Sequence, residues 1–417
     1  MMRPAIIVGG DATALSVARN LSRAGIPVYL LNRPNVSARY SRWGRWITVP
    51  GGSDTQQDWR RFLLGSDSDR LAGAVLLACS DEAIAMMSEN WGALSSKFVL
   101  EESPPQVRLQ LLDKLSTYEI ARKGGIPVPG FWFAKSKADL RIVEEECRFP
   151  VILKPRLSYD SARIGRKHLR ANTSSELATE FSRLAALQIP AVIMEFIPGG
   201  DDRLCSYYTY MDVDGTPLIQ FTKRHPRRFP MNIGGATYHE TTWAPEVAAL
   251  GEKFFRHAGL RGLGNVEFKF DDRDQKLKII ESNARFTDAD TLISRSGIDF
   301  ARFAYDRLTG HSPPVPSGYR TGMVLWCPFQ DFFAFLELRQ KGLISLAEWL
   351  RSVRRTDVFQ YWQWNDPLPS VVNFLRLVRS LPRRRSQVMA IMDARKRGDA
   401  NDAGRPALSG RDGASAR

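Results

Sequence analysis

Asn265-Val266-Glu267-Phe268-Lys269-Phe270, then Asp271-Asp272-Arg273-Asp274-Gln275, then Leu277-Lys278-Ile279-Ile280-Glu281-Ser282-Asn283 is the stretch that decides how this chain folds. In the first segment apolar residues alternate strictly. Val266, Phe268 and Phe270 therefore share one face of a strand, and Asn265, Glu267 and Lys269 share the other. The polar run after it reads as a turn and the third segment as a returning strand. A hairpin centred near Asp274 sets Glu267 directly across from Glu281, with Asn283 and Ile279 on the same face as Glu281. Like charges facing each other across strands destabilise a sheet unless something compensates. Two carboxylates and an amide converging from rigid strands are oxygen ligands for a hard cation such as magnesium, which keeps some water and bridges to nucleotide phosphates. The alternative is a solvated hairpin face with incidental acids, and Ile279 on that face argues against it.

Two upstream segments add weaker signals. Phe149-Pro150 leads into Val151-Ile152-Leu153-Lys154-Pro155, a buried strand that presents one ammonium at its end, suited to a phosphate. In Ala191-Val192-Ile193-Met194-Glu195-Phe196-Ile197-Pro198-Gly199-Gly200-Asp201-Asp202, an apolar strand stops at a carboxylate and crosses an apolar linker into a Gly-Gly turn. Such a linker can set backbone donors and acceptors against an adenine edge while Phe196 and Ile197 cover its faces. Taken alone, it reads equally well as an ordinary strand-to-turn transition.

Further out, the chain divides. Ile6-Ile7-Val8, the Gly9-Gly10 turn, a helix from Ala12 to Ala24, the strand Val28-Tyr29-Leu30-Leu31 and a later strand from Ala74 to Ala78 alternate in the manner of a parallel α/β sheet over residues 1–103. The glycine pattern after the first strand is incomplete as a dinucleotide fingerprint, and the second strand ends in Asn32 rather than an acid. That leaves a structural α/β domain ahead of a nicotinamide-dependent oxidoreductase. Ser103-Pro104-Pro105 marks a boundary, followed by one helix running through Lys114 and Ala121 to Gly124-Gly125. Strands and helices alternate from Pro150 to about Leu308, and the proline-rich run His311 to Ser317 is a linker. The aromatic-rich stretch from 318 to 395 reads as helical, and 396–417 as a disordered tail.

Composition narrows the function classes. Across 417 residues, 43% hydrophobic and 25% charged, no apolar run approaches the ~20 residues of a membrane-spanning helix, and the start does not read as a secretory signal. The expected compartment is the cytoplasm. Cys79, Cys147, Cys205 and Cys327 are too scattered for a disulfide framework or zinc site. A net charge of +14 suits a phosphate-bearing substrate, an anionic membrane or nucleic acid. The basic residues are spread through the chain with no nucleic-acid-binding pattern among them, so no nucleic-acid partner is expected. In the last helix, Val371, Phe374, Leu375, Val378 and Leu381 share one face, with Asn373, Arg376 and Arg379 opposite and Arg383-Arg384-Arg385 beyond. Packing of that face on the body of the protein is expected ahead of contact with an anionic membrane.

Together these segments resemble the ATP-grasp superfamily of the carboxylate–amine ligase type, in which ATP lies between two α+β subdomains. The resemblance rests on Asp113-Lys114, Lys154-Pro155, Glu195-Phe196-Ile197-Pro198-Gly199 and Glu281-Ser282-Asn283-Ala284-Arg285, in that order. It implies an ATP-grasp module with subdomains over 104–190 and 191–310, a preceding α/β domain and a helical C-terminal extension. Its cofactors are ATP and Mg2+, with Mn2+ as a substitute. By position, Lys114 and Lys154 contact phosphates, Glu195, Phe196 and Ile197 hold adenine, Asp202 binds ribose, and Lys223 is a further phosphate-binding and catalytic lysine. Glu267, Glu281 and Asn283 bind the metal, and catalytic Arg285 steadies an acyl phosphate or acceptor carboxylate. The loop from Arg156 to Arg166 departs from the family's glycine-rich pattern, holding Gly165, Ser158 and Ser161. The implied reaction joins a small-molecule carboxylate to an amine with release of ADP and phosphate, as in D-aspartate ligase-like enzymes. His225 and His239 are expected to be structural or surface residues. A nucleic-acid-binding protein and a non-catalytic ATP-binding protein are the remaining alternatives.

Overall fold

The computed structural model describes residues 2–49 and 54–379, and the chain forms two compact units, Met1–Ser370 and Val371–Arg417. The first unit opens with a parallel sheet of β1 (Ala5–Val8), β2 (Val28–Leu31), β3 (Arg45–Ile47) and β4 (Val75–Ala78), in the order β3-β2-β1-β4. Both faces of β1 are covered: Ile6 and Val8 pack into one hydrophobic cluster, Ala5 and Ile7 into another. That is why the strand reads as a continuous apolar run instead of an alternating one. The turn after β1 needs glycine. Gly10 has φ of 75°, and a Cβ there would lie 2.7 Å from the Cys79 carbonyl oxygen.

A second, antiparallel sheet holds β5 (Phe131–Trp132), β6 (Val151–Pro155), β7 (Leu169–Ala171) and β8 (Ala191–Glu195), in the order β5-β8-β6-β7. Val151, Leu153 and Ile193 face the helices Lys137–Glu146 and Ser174–Ala186, leaving Ile152 and Met194 for the opposite side. The third sheet has seven strands: β9 (Leu204–Met211), β10 (Pro217–Phe229), β11 (Gly235–Thr242), β12 (Gly262–Asp271), β13 (Lys276–Asn283), β14 (Val324–Trp326) and β15 (Val358–Phe359). Their order is β13-β12-β9-β10-β11-β14-β15. The aromatic-rich stretch expected to be helical thus also contributes two strands. Its helices are Pro328–Gln340 and Leu346–Val353.

Two local expectations are corrected. The single helix through Lys114 is two, Pro105–Leu112 and Lys114–Lys123. Asp113 breaks it by adopting an extended backbone and accepting hydrogen bonds from the Leu115 and Ser116 amides at 2.9 and 3.5 Å. In the hairpin, Glu267 pairs with Glu281 and Asn265 with Asn283, but Phe268 pairs with Ile279. Ile280 is therefore bulged out. Ile279 belongs to the core beside Val266 and Phe268, and Ile280 takes the place next to Glu281.

In the second unit residues 371–379 are helical, with Val371, Phe374, Leu375 and Val378 exposed. Leu381, Arg383-Arg384-Arg385 and the tail from 396 lie outside the described residues.

One buried carboxyl ties the first helix of the N-terminal α/β segment to the helix beyond β13. Asp290, at the start of the helix Asp290–Ser296, accepts a hydrogen bond at 2.9 Å from Ser16 of the helix Ala12–Arg23. Burial, reinforced by Asp299, pushes its pKa up to about 7. The folded state therefore holds a proton that the unfolded carboxyl, titrating at about 3.9, releases. The stabilisation is complete below that value and is lost as pH rises through about 7. Asp290→Asn, which keeps the acceptor oxygen, should remove this dependence. Chemical denaturation at about pH 5 and about pH 8 should show wild type losing more stability between the two than the variant does.

Candidate functional site

A cavity of about 580 Å³ opens between the second sheet, the large sheet and the loops after β1 and β4. Period-two alternation aims one face of the large sheet into it: Tyr208 from β9, Lys223 and His225 from β10, His239 from β11, Asn265, Glu267 and Lys269 from β12, and Glu281 and Asn283 from β13. The register aligns Glu281, Glu267, Ser206 and Lys223 in one row across four neighbouring strands.

Electrostatics around that row are lopsided. Burial pushes the Glu281 carboxyl up, but Lys114, Lys154, Lys167 and Arg285 outweigh it and hold it down at about 2. Lys114 Nζ lies 3.7 Å from Glu281 and donates to Ser158 Oγ at 2.7 Å, and that hydroxyl donates on to Glu281 at 3.3 Å. Ser158 and Ser161 of the glycine-poor loop both line the cavity. Lys154 and Lys223 are buried, and burial pulls each ammonium down to about 8. Among the described residues neither makes an ion pair. His168 is pulled to about 3 by burial, then by Lys154, Arg228 and Lys167, so it remains neutral. Buried cations without carboxylate partners are costly unless an anion completes them. This cavity is shaped for a polyanion.

The facing pair Glu267 and Glu281, with the Asn265 and Asn283 row beside it, brings together oxygen donors of the kind a hard cation would take. Asn283 Oδ1 already accepts from Arg285 at 3.0 Å, and its Nδ2 donates to Asn265 Oδ1 at 3.2 Å, so the amide is oriented. A carbonyl oxygen has a second lone pair, which leaves it able to bind a cation. Oxygen-only donors and an ionised Glu281 fit magnesium, with water and phosphate oxygens completing its shell. The fully buried Tyr118 secures the bulge by donating to the Ile280 carbonyl at 2.7 Å.

At the linker after β8, Met194, Phe196 and Ile197 line the cavity together with Ile152, Leu204 and Ile280, forming an apolar slot. Lys269 Nζ donates to the carbonyls of Ile197 at 2.9 Å and Gly199 at 3.1 Å and to Asn232 Oδ1 at 3.1 Å, clamping the linker to the strand that carries Glu267. The Glu195 side chain does not enter. It turns toward Gly130 and lies 3.8 Å from Arg273, because its neighbours Met194 and Phe196 take the inward parity. Asp202 is exposed on the turn Asp201–Arg203 and does not line the cavity either.

The histidines expected to be structural or superficial are buried inside the site. Lys223 Nζ lies 3.1 Å from both His225 Nε2 and His239 Nδ1, and Ser206 Oγ is 2.6 Å from the same His225 nitrogen. Burial, then the charge of Lys223, holds both rings well below the usual histidine range, so they accept from the ammonium. Among the described residues His239 Nε2 has no hydrogen-bond partner. Arg285 closes the far side, donating to Asp81 at 2.5 Å, with Thr13 bonded to Asp288 beyond it. The spacing of Lys223 and His225 was visible in the sequence as same-face positions on a strand. His239 was not, because its place depends on a β10–β11 register broken by bulges between Arg224 and Arg228.

No family model matches the chain. The D-aspartate ligase of Enterococcus faecium (strain Aus0004) is 23% identical over 338 residues, 76% of this chain and 79% of that protein. Among solved structures, the biotin carboxylase domain of Hydrogenobacter thermophilus 2-oxoglutarate carboxylase, in complex with MgADP, ADP and bicarbonate, matches with a TM-score of 0.61 at 15% identity. That match covers 78% of this chain and 74% of the other. An L-amino acid ligase from Bacillus licheniformis matches with a TM-score of 0.54 at 16% identity, over 74% and 75% of the two chains.

The unpaired cations give a test that needs no knowledge of the reaction. Inorganic tripolyphosphate should raise the thermal unfolding midpoint, since a ligand at about a hundredfold excess over Kd stabilises by about 2.7 kcal/mol. Lys154→Met should melt no lower than wild type without ligand, because it removes a buried charge, and should lose most of that rise. A variant that melts lower and responds fully would place the anion elsewhere.

Proposed function

We propose that the chain is an ADP-forming carboxylate–amine ligase of the ATP-grasp superfamily acting on an amino acid, a reading supported by its likeness to a D-aspartate ligase and by the fold it shares with a biotin carboxylase domain and an L-amino acid ligase. The observation that carries this reading is the row Glu281–Glu267–Ser206–Lys223, which sets two facing carboxylates beside buried cations in one cavity. Lys114, Lys154 and Lys223 hold the phosphates. Phe196 and Ile197 sandwich the base against the apolar slot, with the linker backbone reading its edge. Glu267, Glu281 and Asn283 hold magnesium, which supplies charge neutralisation at the transferring phosphoryl group.

The chemistry then needs no protein nucleophile. A substrate carboxylate oxygen attacks the γ-phosphorus, the bond to the β–γ bridging oxygen breaks, and ADP leaves with that electron pair. An amine nitrogen next attacks the acyl carbon, the carbon–oxygen bond to phosphate breaks, and the amine's proton passes to solvent. Lys223, fixed by two neutral rings, presents its remaining N–H to developing negative charge without reorganising. Arg285 steadies the acyl phosphate, and the acids around it, Asp81 and Asp288, suit the ammonium of an amino acid. The likeness to ligases that take D-aspartate and L-amino acids supports that substrate class.

Incubation of the protein with ATP, magnesium and an amino-acid panel should yield ADP and phosphate, and hydroxylamine should trap the activated carboxylate as a hydroxamate when the amine is omitted. AMP and pyrophosphate would overturn the reading. Glu281→Gln should leave the circular dichroism spectrum unchanged and lower turnover by more than about 100-fold, beyond the effect typical of a residue that only supports a metal ligand. Arg285→Ala should depress hydroxamate formation more than nucleotide binding.

A further inference from the structure

The helices Pro328–Gln340 and Leu346–Val353 form a hairpin that is secured on one side only. Its anchor is buried. Arg227 of β10 pairs with Asp331 at 2.8 Å, and Asp331 also accepts from Thr237, Trp326 and Trp349. Ser352 takes a hydrogen bond from Arg227 and its carbonyl takes another from Tyr238. Trp349 stacks on Phe335 with ring centroids 4.6 Å apart, which locks the two helices together. The hairpin is therefore a fixed part of the first unit, held by the strands that also carry Lys223 and His239.

The opposite side is apolar and open. Phe332 and Leu336, one turn apart, are 46% and 44% exposed, Leu343 in the connecting turn is 59% exposed, and Leu346 and Leu350 are 46% and 39% exposed. Phe332 lies against Trp349, 6.3 Å between centroids, so the apolar residues of the two helices adjoin. No residue of the second helix is buried, although its ends are well formed by a Ser345–Glu348 capping box. Apolar surface held out by a rigid anchor calls for a partner. Exposed Arg339, Lys341, Arg351 and Arg354 surround it, and the acid among them, Glu348, is used by the cap.

We propose that this hairpin is a docking surface for an anionic lipid bilayer, with Phe332, Leu336, Leu343, Leu346 and Leu350 entering the interface and the arginines and lysine meeting the headgroups. An amphipathic element with cations flanking its apolar face binds in that way. A second copy of the chain fits worse. Two-fold pairing would bring the excess of cations on one copy up against the same excess on the other, with Glu348 as the one exposed acid of the hairpin's two helices among the described residues. A bilayer reverses that sign. The net charge of +14 acts in the same direction at longer range.

The test is flotation of the full-length chain with vesicles of phosphatidylcholine alone or mixed with phosphatidylglycerol. The protein should rise with the anionic vesicles and stay behind with the neutral ones, and raised salt should weaken retention about tenfold or more. Leu346→Glu with Leu350→Glu, and separately Arg351→Glu with Arg354→Glu, should abolish flotation while the circular dichroism spectrum and the tripolyphosphate-induced rise in melting temperature stay as in wild type. Flotation that survives both pairs of substitutions, or a wild-type chain that floats with neither vesicle, overturns the proposal. A wild-type dimer in sedimentation that the leucine substitutions dissociate also overturns it and assigns the face to a second copy. None of these readouts involves turnover, so the membrane surface and the ligase reading fail or stand separately.

Discussion

Two carboxylates forced to face each other across a strand pair are the constraint on which the rest of the site depends. The β12–β13 register leaves Glu267 and Glu281 no alternative, and a sheet that tolerated them without compensation would be weaker for it. Compensation comes from elsewhere in the chain: Lys114 from a helix N-terminus, Lys154 from the end of β6, Lys167 from the loop before β7, and Arg285 from just beyond β13. These elements must close around the hairpin for the charges to balance, so the electrostatics of one strand pair help set how the sheets meet. The balance is incomplete: burial still pulls Lys154 and Lys223 down to about 8 despite the charges of Glu281 and Glu267, and among the described residues neither lysine makes a close ion pair. In the proposed reading, a polyphosphate with a hard cation would complete it from both sides.

The supports for this arrangement are hydrogen bonds to neutral acceptors, carbonyls and imidazoles. Tyr118 holds the bulge that brings Ile280, not Ile279, to the wall of the cavity. Lys269 clamps the linker backbone to the Glu267 strand, so an apolar slot and a charged row keep a fixed relation. His225 and His239 hold Lys223 without adding charge. The first two fix backbone carbonyls and the last fixes a cationic donor in advance, which is where a site that stabilises charge in a transition state gains most.

Much of this was legible in the sequence wherever local alternation carried it. The facing of Glu267 and Glu281 follows from strict period-two patterning and a polar turn, and Lys154 follows from an apolar run that ends in Lys-Pro. The same parity would have turned Glu195 outward, since Val192, Met194 and Phe196 share the other face. A family resemblance that assigns a role by position passes over that geometry. What was not legible depended on tertiary pairing. The Ile280 bulge changes one residue's face with no composition signal, Asp113 interrupts a helix by capping the next one, and His239 reaches Lys223 only through an irregular β10–β11 register. The strands β14 and β15 were hidden for the same reason: short strands in an aromatic-rich stretch look helical until the sheet they extend is known.

The central claim is that Glu267 and Glu281 jointly hold a divalent cation beneath the phosphates of a nucleotide. The most direct measurement is a crystal structure with ADP and Mn2+, with manganese located by its anomalous scattering. The account predicts a manganese peak between the two carboxylates, about 2 Å from an oxygen of each, with the diphosphate reaching toward Lys154. A peak beside Asp81 and Asp288 instead, or a diphosphate bound with no metal at the β12–β13 hairpin, would contradict it.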